Sequence, residues 1–375
     1  MELLEIRDQL DKVDQEIVKL YKKRMDLCKE VAEIKLKTGK QVFDPEREKQ
    51  KLDNVAGLLT DTFDKKAIRE LYRQMMTVSR RLQLGVLAEN GKSYASGFRR
   101  IPALDKSGRK VVYQGAEGAY AQLAALQCFG TDVEYVNVRT WKDACEMVAG
   151  GRADYAVLPI ENSSHGMVSD TFDLLLQYPN AIVSEVDLRV EHALMGIRGA
   201  ETGKLRAVYS HPQALSQCSA FFERHPEIEA VPVLNTAVAA KLVSEQNNPE
   251  IAALASEQSA ALYGLDILER SVNQEKTNTT RFIVAGREQV YTEASARISL
   301  CFETAHQPGA LYNVLGNFIF NDVNMTMIQS RPVPERAFEY RFFVDIEGRL
   351  DQPDVMNALS GIQDQITSFR ILGCY

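Results

Sequence analysis

Three stretches of different periodicity predict a multidomain fold: an all-α N-terminal part of three helices that pairs with a second chain, an α/β middle, and an α+β C-terminal part of βαββαβ order. The first observation is a run of apolar residues at alternating steps of three and four over residues 3–36. The second is an alternation of short apolar runs with helical stretches from about residue 110, and the third is a polar–apolar alternation that restarts near residue 296. A chain of 375 residues with 45% hydrophobic composition is also too long for one ordinary domain.

In the first stretch Ile6, Leu10, Val13, Ile17, Leu20, Leu27 and Val31 share one helical face. Thirty-odd helical residues reach roughly 50 Å. Thr38-Gly39 ends the helix, and Asp44-Pro45 opens a second with an acid at the N-cap and proline at the first helical position. That helix runs to about Leu59. Asp64 is expected to cap a third, carrying Ile68, Leu71, Met75, Val78 and Leu82 at helical spacing. Three helices of such unequal length cannot enclose a monomeric core, so the segment over 1–86 predicts an intertwined dimer or a higher homo-oligomer.

Residues 87–109 turn polar and glycine-bearing, as a linker does. Beyond them Val111–Tyr113, Tyr155–Ile160, Leu205–Tyr209, Ile251–Leu254 and Phe282–Ala285 read as strands of an α/β domain over 110–290, several running straight into Gly, Ser, Asn or His-Pro turns. Such turns place backbone N–H groups at a helix N-terminus, where a carboxylate is held favourably. Over 296–375 a strand from Arg297 to Phe302, a helix from Pro308, strands at about 323–330 and 338–346, a helix after Pro353 and a closing strand give the ferredoxin-like order.

Composition narrows the function. A net charge of −7, with 51 acidic and 44 basic residues and no basic block, leaves no footprint for nucleic acid or an anionic membrane. The charged N-terminus is not a signal peptide, and no stretch has about 18 uninterrupted apolar residues, so a cytoplasmic protein is expected. Six cysteines without a CxxC pair suit a reducing compartment and predict no disulfide. Five histidines without metal-ligand spacing predict no metal.

The chemistry-bearing residues begin with Arg24 and Lys35, which at about 100° per residue fall within the first helix's apolar stripe, with Arg7 on its edge. Unpaired cations buried there would cost several kcal/mol each, so either Asp14, Asp44 or Glu48 or a bound dianion must meet them. The segment resembles the all-helical class of chorismate mutase. In that family arginines and a lysine of the long helix, an Asp-x-x-Arg-Glu group and a Ser-x-x-x-Gln pair line the site. Here the matching positions hold Arg7, Arg24, Lys35, Asp44, Arg47, Glu48, Ser79 and Gln83. The resemblance implies that Arg7, Arg24 and Arg47 clamp the two carboxylates of chorismate, that Glu48 takes its hydroxyl, and that Lys35 and Gln83 donate to the breaking ether oxygen.

In the middle segment the runs Pro159-Ile160-Glu161-Asn162-Ser163, Ser210-His211-Pro212-Gln213 with Gln217-Cys218, and Thr279-Thr280-Arg281-Phe282 border strands, where turn chemistry alone would also place such residues. Together they resemble prephenate dehydratase, which implies two α/β lobes with the site in the cleft between them. By that resemblance Thr280 is the catalytic candidate, with Asn162, Ser163, Ser210, Gln217, Thr279, Arg281 and Phe282 around prephenate and no cofactor. Ala121 lacks a hydroxyl that the family often carries beside Tyr120.

The last segment resembles an ACT domain, with Gly309, Ala310 and Leu311 in its ligand turn and Gln329-Ser330 in its second signature, where glutamate usually precedes the serine. The whole chain thereby resembles bifunctional chorismate mutase/prephenate dehydratases of phenylalanine biosynthesis, with phenylalanine as the implied effector. Two other readings fit the sequence: a carboxylate sensor that converts nothing, and a dehydratase whose helices only dimerise.

Overall fold

The computed structural model describes residues 3–90, 96–334 and 336–375. It forms two compact units, residues up to 96 together with 296–371, and residues 97–295 together with 372–375.

In the first unit α1 spans Leu3–Thr38, α2 Pro45–Gly57 and α3 Thr62–Glu89. The Asp44 carboxylate accepts from the Arg47 N–H at 3.0 Å, with proline starting the helix as expected. The cap of α3 is a correction. Asp61, not Asp64, accepts from the Phe63 and Asp64 N–H groups at 2.8 and 3.0 Å, which leaves Asp64 in the first turn, where its charge suits the helix dipole.

Burial along α1 is uneven. Ala32 is buried and Arg24, Met25, Cys28 and Lys35 are half-buried, so this side of α1 packs within the chain. Residues Ile6, Leu10, Val13, Ile17, Leu20, Leu27 and Val31, the stripe that betrays the helix, each stay at least 42% exposed. Seven such side chains buried against a partner would contribute on the order of 10 kcal/mol.

The expected linker is shorter than 87–109. Helix α3 continues to Glu89, β1 (Arg99–Arg100) already pairs with a later strand, and residues 91–95 lie outside the described ones.

The second unit has two lobes. In the first, β2 (Lys110–Gln114) lies between β3 (Glu134–Val138) and β4 (Tyr155–Asn162), parallel to both, with α4 (Tyr120–Phe129) and α5 (Trp141–Ala149) as crossovers. A short β5 (Gly166–Met167) folds back on β4 before α6 (Ser169–Gln177) and β6 (Ala181–Arg189).

The chain then builds the second lobe from β7 (Ala193–Gly196), β8 (Ala207–Ser210), α7 (Pro212–Gln217), α8 (Ser219–Arg224), β9 (Glu229–Pro232), α9 (Thr236–Gln246), β10 (Ile251–Ala255), α10 (Glu257–Tyr263) and β11 (Asp266–Glu269). Its sheet order is β11-β7-β10-β8-β9, and every residue of β10, at its centre, is buried. The all-apolar Ile-Ala-Ala-Leu-Ala sequence of β10 is what a strand covered on both faces requires.

From there β12 (Thr279–Gly286) returns to the first lobe and inserts between β4 and β6, antiparallel to both, setting Thr280 opposite Asn162. β13 (Val290–Tyr291) pairs with β1. The lobes are tied at Gly118, whose carbonyl accepts from Ser256 and Ser259 at 3.2 and 3.0 Å. Its φ of +87° and the 2.9 Å that would separate a Cβ from the Ser259 hydroxyl both require glycine.

The C-terminal segment runs β14 (Arg297–Thr304), α11 (Ala310–Phe320), β15 (Met325–Pro332), β16 (Tyr340–Glu347), α12 (Pro353–Ile362) and β17 (Ile366–Cys374), with sheet order β15-β16-β14-β17. The βαββαβ order is as expected, with the middle strands displaced about two residues towards the C-terminus.

Candidate active sites

A cleft of about 410 Å³ lies between the two lobes of the second unit. Its walls hold Asn162, Thr280 and Phe282 from the first lobe, Gln213, Gln217 and Asn235 from the second, and His192 from the connection between β6 and β7. Among the described residues, no arginine, lysine, aspartate or glutamate lines it.

Alternation along β12 turns Thr280 and Phe282 into the cleft and Arg281 away from it, where its guanidinium pairs with Glu161 at 3.1 Å and Glu185 at 3.4 Å. The Asn162 Nδ2 donates to Thr280 Oγ1 at 2.8 Å and to Asn278 Oδ1 at 2.8 Å, while its Oδ1 accepts from the Ser164 and His165 N–H groups at 3.0 and 3.1 Å. The amide is therefore fixed in orientation. Because Thr280 accepts from Asn162, its own hydroxyl hydrogen is left for the cavity.

Ser163 and Thr279 act on the backbone instead, the Thr279 N–H donating to Ser163 Oγ at 3.0 Å and the Ser163 N–H to Thr279 O at 2.9 Å. Ser210 is a departure from expectation. It is fully buried, donates to Leu254 O at 2.6 Å, and is absent from the cleft wall, which takes His211 instead.

The cleft is entered by the first turns of α4, α5 and α9, at Ala119–Ala121, Trp141 and Asn235–Thr236. α5 and α9 are capped by Thr140 and Asn235, but the residue before α4 is Ala119, which has no side-chain oxygen. The start of α4 thus has no side-chain cap, although the Gly118 N–H donates to Gln122 Oε1 at 2.6 Å and the Gln122 N–H to Ala119 O at 2.9 Å.

Sequence reasoning does not reach His192, which ties Tyr120 to the expected Gln217. The Tyr120 hydroxyl lies 2.5 Å from Glu191 O and 3.0 Å from His192 Nδ1, His192 Nε2 lies 3.0 Å from Gln217 Oε1, and Gln217 Nε2 lies 3.4 Å from His165 Nδ1. Burial raises the Tyr120 phenol well above its usual range and lowers His192 and His211. A lone histidine before the apolar strand β7 carries no spacing signal.

The helical unit gathers a different set. Arg24 donates to Ser79 Oγ and to Met75 O, and meets no carboxylate among the described residues. Ser79 and Gln83 are buried one turn apart on α3, and Gln83 Oε1 has no hydrogen-bond partner among the described residues. Lys35 Nζ donates to Val42 O at 2.6 Å; burial lowers its pKa, opposed by Asp44 and Glu48.

Glu48 pairs with Arg80, a residue the sequence motif omits. Arg47 is exposed and donates to Gln50 at 3.2 Å, in a shallow hollow that it shares with Asp44. Arg7 is exposed, and 17 positions of one helix put it roughly 25 Å from Arg24. One chain cannot bring both to one ligand, so the expected three-arginine clamp is not assembled within a single protomer.

In the C-terminal segment a hollow of about 570 Å³ is walled by Gly309, Ala310, Leu311, Tyr312, Glu339 and Phe342 among others. Gly309 has a φ of +78°, and Glu339 pairs with Arg336 at 2.9 Å. Gln329 and Ser330 lie on β15 opposite Phe343 and Phe342, outside this wall.

Comparison with known proteins finds relatives of both segments. Residues 6–84 match the model of chorismate mutase type II, and 111–290 that of prephenate dehydratase. A bifunctional chorismate mutase/prephenate dehydratase from Enterobacter agglomerans is 33% identical over all of this chain and 95% of its own length. The solved structure of a prephenate dehydratase from Arthrobacter aurescens, in complex with L-Phe, is 28% identical with a TM-score of 0.66, covering 71% of this chain and 89% of that one. A structure described as a novel type of quorum quenching acylase is 34% identical, also with a TM-score of 0.66, over 71% of this chain and 97% of that one.

Proposed function

The chain belongs to the family of bifunctional chorismate mutase/prephenate dehydratases, and from that premise we propose that its dehydratase reaction runs in the interlobe cleft with Thr280 as the proton-donating group. The observation that carries this is the Thr280 hydroxyl, turned into an uncharged cavity and receiving its own hydrogen bond from Asn162 at 2.8 Å.

Prephenate dianion plus one proton becomes phenylpyruvate, carbon dioxide and water. The C–O bond to the ring hydroxyl breaks as that oxygen gains a hydrogen, and the electron pair of the departing carboxylate's C–C bond fills the ring to make it aromatic. A hydroxyl is a weak acid by solution pKa, so aimed hydrogen bonding to the leaving oxygen is its main contribution. The start of α4, without a side-chain cap at Ala119, supports binding of a substrate carboxylate.

The mutase reaction is a pericyclic rearrangement without covalent help, so positioning and charge stabilisation must supply the rate. Arg24, Lys35, Ser79 and Gln83 line one internal face of the helices and are assigned to chorismate, with Asp44, Arg47 and Glu48 at its edge. Arg7 is assigned to the site of a second copy, which the bare stripe of α1 and the length of that helix both support.

The C-terminal segment is assigned as a ferredoxin-like ACT domain that senses phenylalanine at the Gly309 hollow. Residues 1–86, 110–290 and 296–375 are taken as the three domains of a cytoplasmic enzyme.

Purified protein given chorismate should yield phenylpyruvate without added metal or cofactor. Accumulation of prephenate in the wild type would count against the dehydratase assignment. Sedimentation over a concentration series should show a dimer or larger, and a monomer with full mutase activity would remove the role given to Arg7.

A further inference from the structure

The cleft must accept a dianion, yet its walls carry no arginine or lysine, and the titratable groups that could become cationic there are histidines. The hydrogen bonds around His192 indicate which one. Glu191 O can only accept, and at 2.5 Å it lies closer to the Tyr120 hydroxyl than His192 Nδ1 does at 3.0 Å, so the single phenolic proton goes to Glu191 O. Tyr120 must then accept from Nδ1–H. On the other side of the ring Gln217 Oε1, 3.0 Å from Nε2, accepts from Nε2–H. With the Gln217 oxygen facing the ring, all these contacts are satisfied together when both ring nitrogens carry protons.

We propose that His192 takes up a proton as the dianionic substrate enters, and that the resulting imidazolium is the counter-charge the cleft otherwise lacks, holding Gln217 in place through Nε2–H. The proposal rests on the reading that this cleft binds prephenate. In the empty cleft burial opposes the charge, since His192 is only 2% exposed and is held below its ordinary pKa. A dicarboxylate nearby reverses that balance.

The surrounding groups leave room for such a change. From α4 comes the neutral Tyr120 phenol; from α7 and its cap come Gln217 and His211; Cys218, pushed to about 12 by burial, is a thiol. The side chain of Glu191 is engaged by Arg189 at 2.8 Å, and Asn273 accepts from the His192 N–H at 3.1 Å. The other nearby ionisable ring acting on His192 is His211, whose Nδ1 already accepts from the Gln213 N–H at 3.2 Å and whose charging would disfavour that of His192. His192 is thus a positioning residue, reaching the substrate through Gln217 and through its field.

The test is the pH dependence of prephenate turnover between about pH 6.5 and 8.5, together with rapid mixing in a weakly buffered indicator solution. Wild-type kcat/KM should fall towards tenfold per pH unit while kcat changes far less. Mixing with prephenate should give a burst of proton uptake near one per chain before the steady consumption of one proton per turnover.

His192→Gln should raise KM, flatten the pH profile and lose the burst, whereas His211→Gln should keep both the slope and the burst. A flat wild-type profile without a burst overturns the proposal, as does a burst that survives in His192→Gln. The wild-type burst decides the matter even where the variant fails to fold. Thr280→Ala separates this from the cleft assignment: it should lose turnover but keep the burst, and an unimpaired Thr280→Ala would remove the cleft reading itself.

Discussion

The two catalytic regions solve opposite problems with opposite materials. The interlobe cleft is formed within one chain, carries no arginine, lysine, aspartate or glutamate on its walls among the described residues, and offers an aimed hydroxyl, several side-chain amides and a helix start without a side-chain cap. The helical region is rich in cations, and it leaves a 36-residue helix with its apolar stripe bare and one expected arginine roughly 25 Å from the rest.

The difference follows from the chemistry. Losing water and carbon dioxide to make an aromatic ring has a strong driving force and needs one well-placed proton donor. A pericyclic shift has no group to protonate and depends on fixed charge around a folded dianion. It also follows from where burial comes from: two packed lobes dry out the cleft, whereas three unequal helices can do so only against another chain.

The contrast is tested most strongly at Thr280. Thr280→Ala should lower the dehydratase rate by about 10³-fold, within the range for a positioned proton donor, and leave the mutase rate unchanged. Thr280→Ser, which keeps the hydroxyl, should recover much of it. Both are read by following phenylpyruvate from prephenate and prephenate from chorismate separately. Equal loss of both activities would mean that the two regions are not independent.

Arg24→Met should cost the mutase about 10²-fold while dehydratase activity persists. The thermal midpoint should hold or rise, because a half-buried guanidinium with no carboxylate partner gives way to an apolar side chain. A lower midpoint with a normal mutase rate would instead make Arg24 structural.

Much of this was readable from the sequence, and the exceptions share a cause. Periodicity reveals α1 because a helix keeps its 3.6-residue repeat whether or not its stripe is covered, and it rightly places Arg24 and Lys35 on the face of Ile6 and Ile17, each about five turns away. It does not show how far along that face the chain packs on itself: Arg24, Cys28, Ala32 and Lys35 are buried or half-buried, while Ile6, Leu10 and Ile17 stay exposed. Thr280 and Asn162 stand out as motif residues, while their 2.8 Å contact depends on β12 returning to β4 across 118 positions. Ser210 and His211 look equivalent in the sequence, yet the strand ends on Ser210 with its hydroxyl in the core, and the next residue turns into the cleft. Asp61 and Asp64 are both credible caps three residues apart, and only the chain's path decides between them.

The difference between fixed and movable charge gives a smaller effect. Burial holds Lys35 below its ordinary pKa against the raising influence of Asp44 and Glu48. If its ammonium donates to the ether oxygen, mutase kcat/KM should fall up to about tenfold per pH unit once the pH passes that lowered pKa. Lys35→Arg should move the limb out of range. The stability effect has the opposite sense: between the folded and unfolded pKa values the unfolded chain binds more protons, so stability rises with pH across that window, and Lys35→Met should remove the rise.

The smallest expected effect concerns the Gly309 hollow proposed for phenylalanine, where the same distinction between side chains on and off a wall applies. The usual glutamate of the second signature is Gln329 here, and its amide donates to Ser330 O at 3.2 Å on a strand outside the hollow. Glu339 does face the hollow, though Arg336 shares its charge. An exposed carboxylate of this kind contributes about 1 kcal/mol to holding an ammonium group, roughly fivefold in affinity. Glu339→Gln should therefore weaken phenylalanine binding about fivefold by calorimetry, and Gln329→Glu should tighten it by less. A larger gain from Gln329→Glu than loss from Glu339→Gln would move the ammonium site from the helix-start hollow to β15.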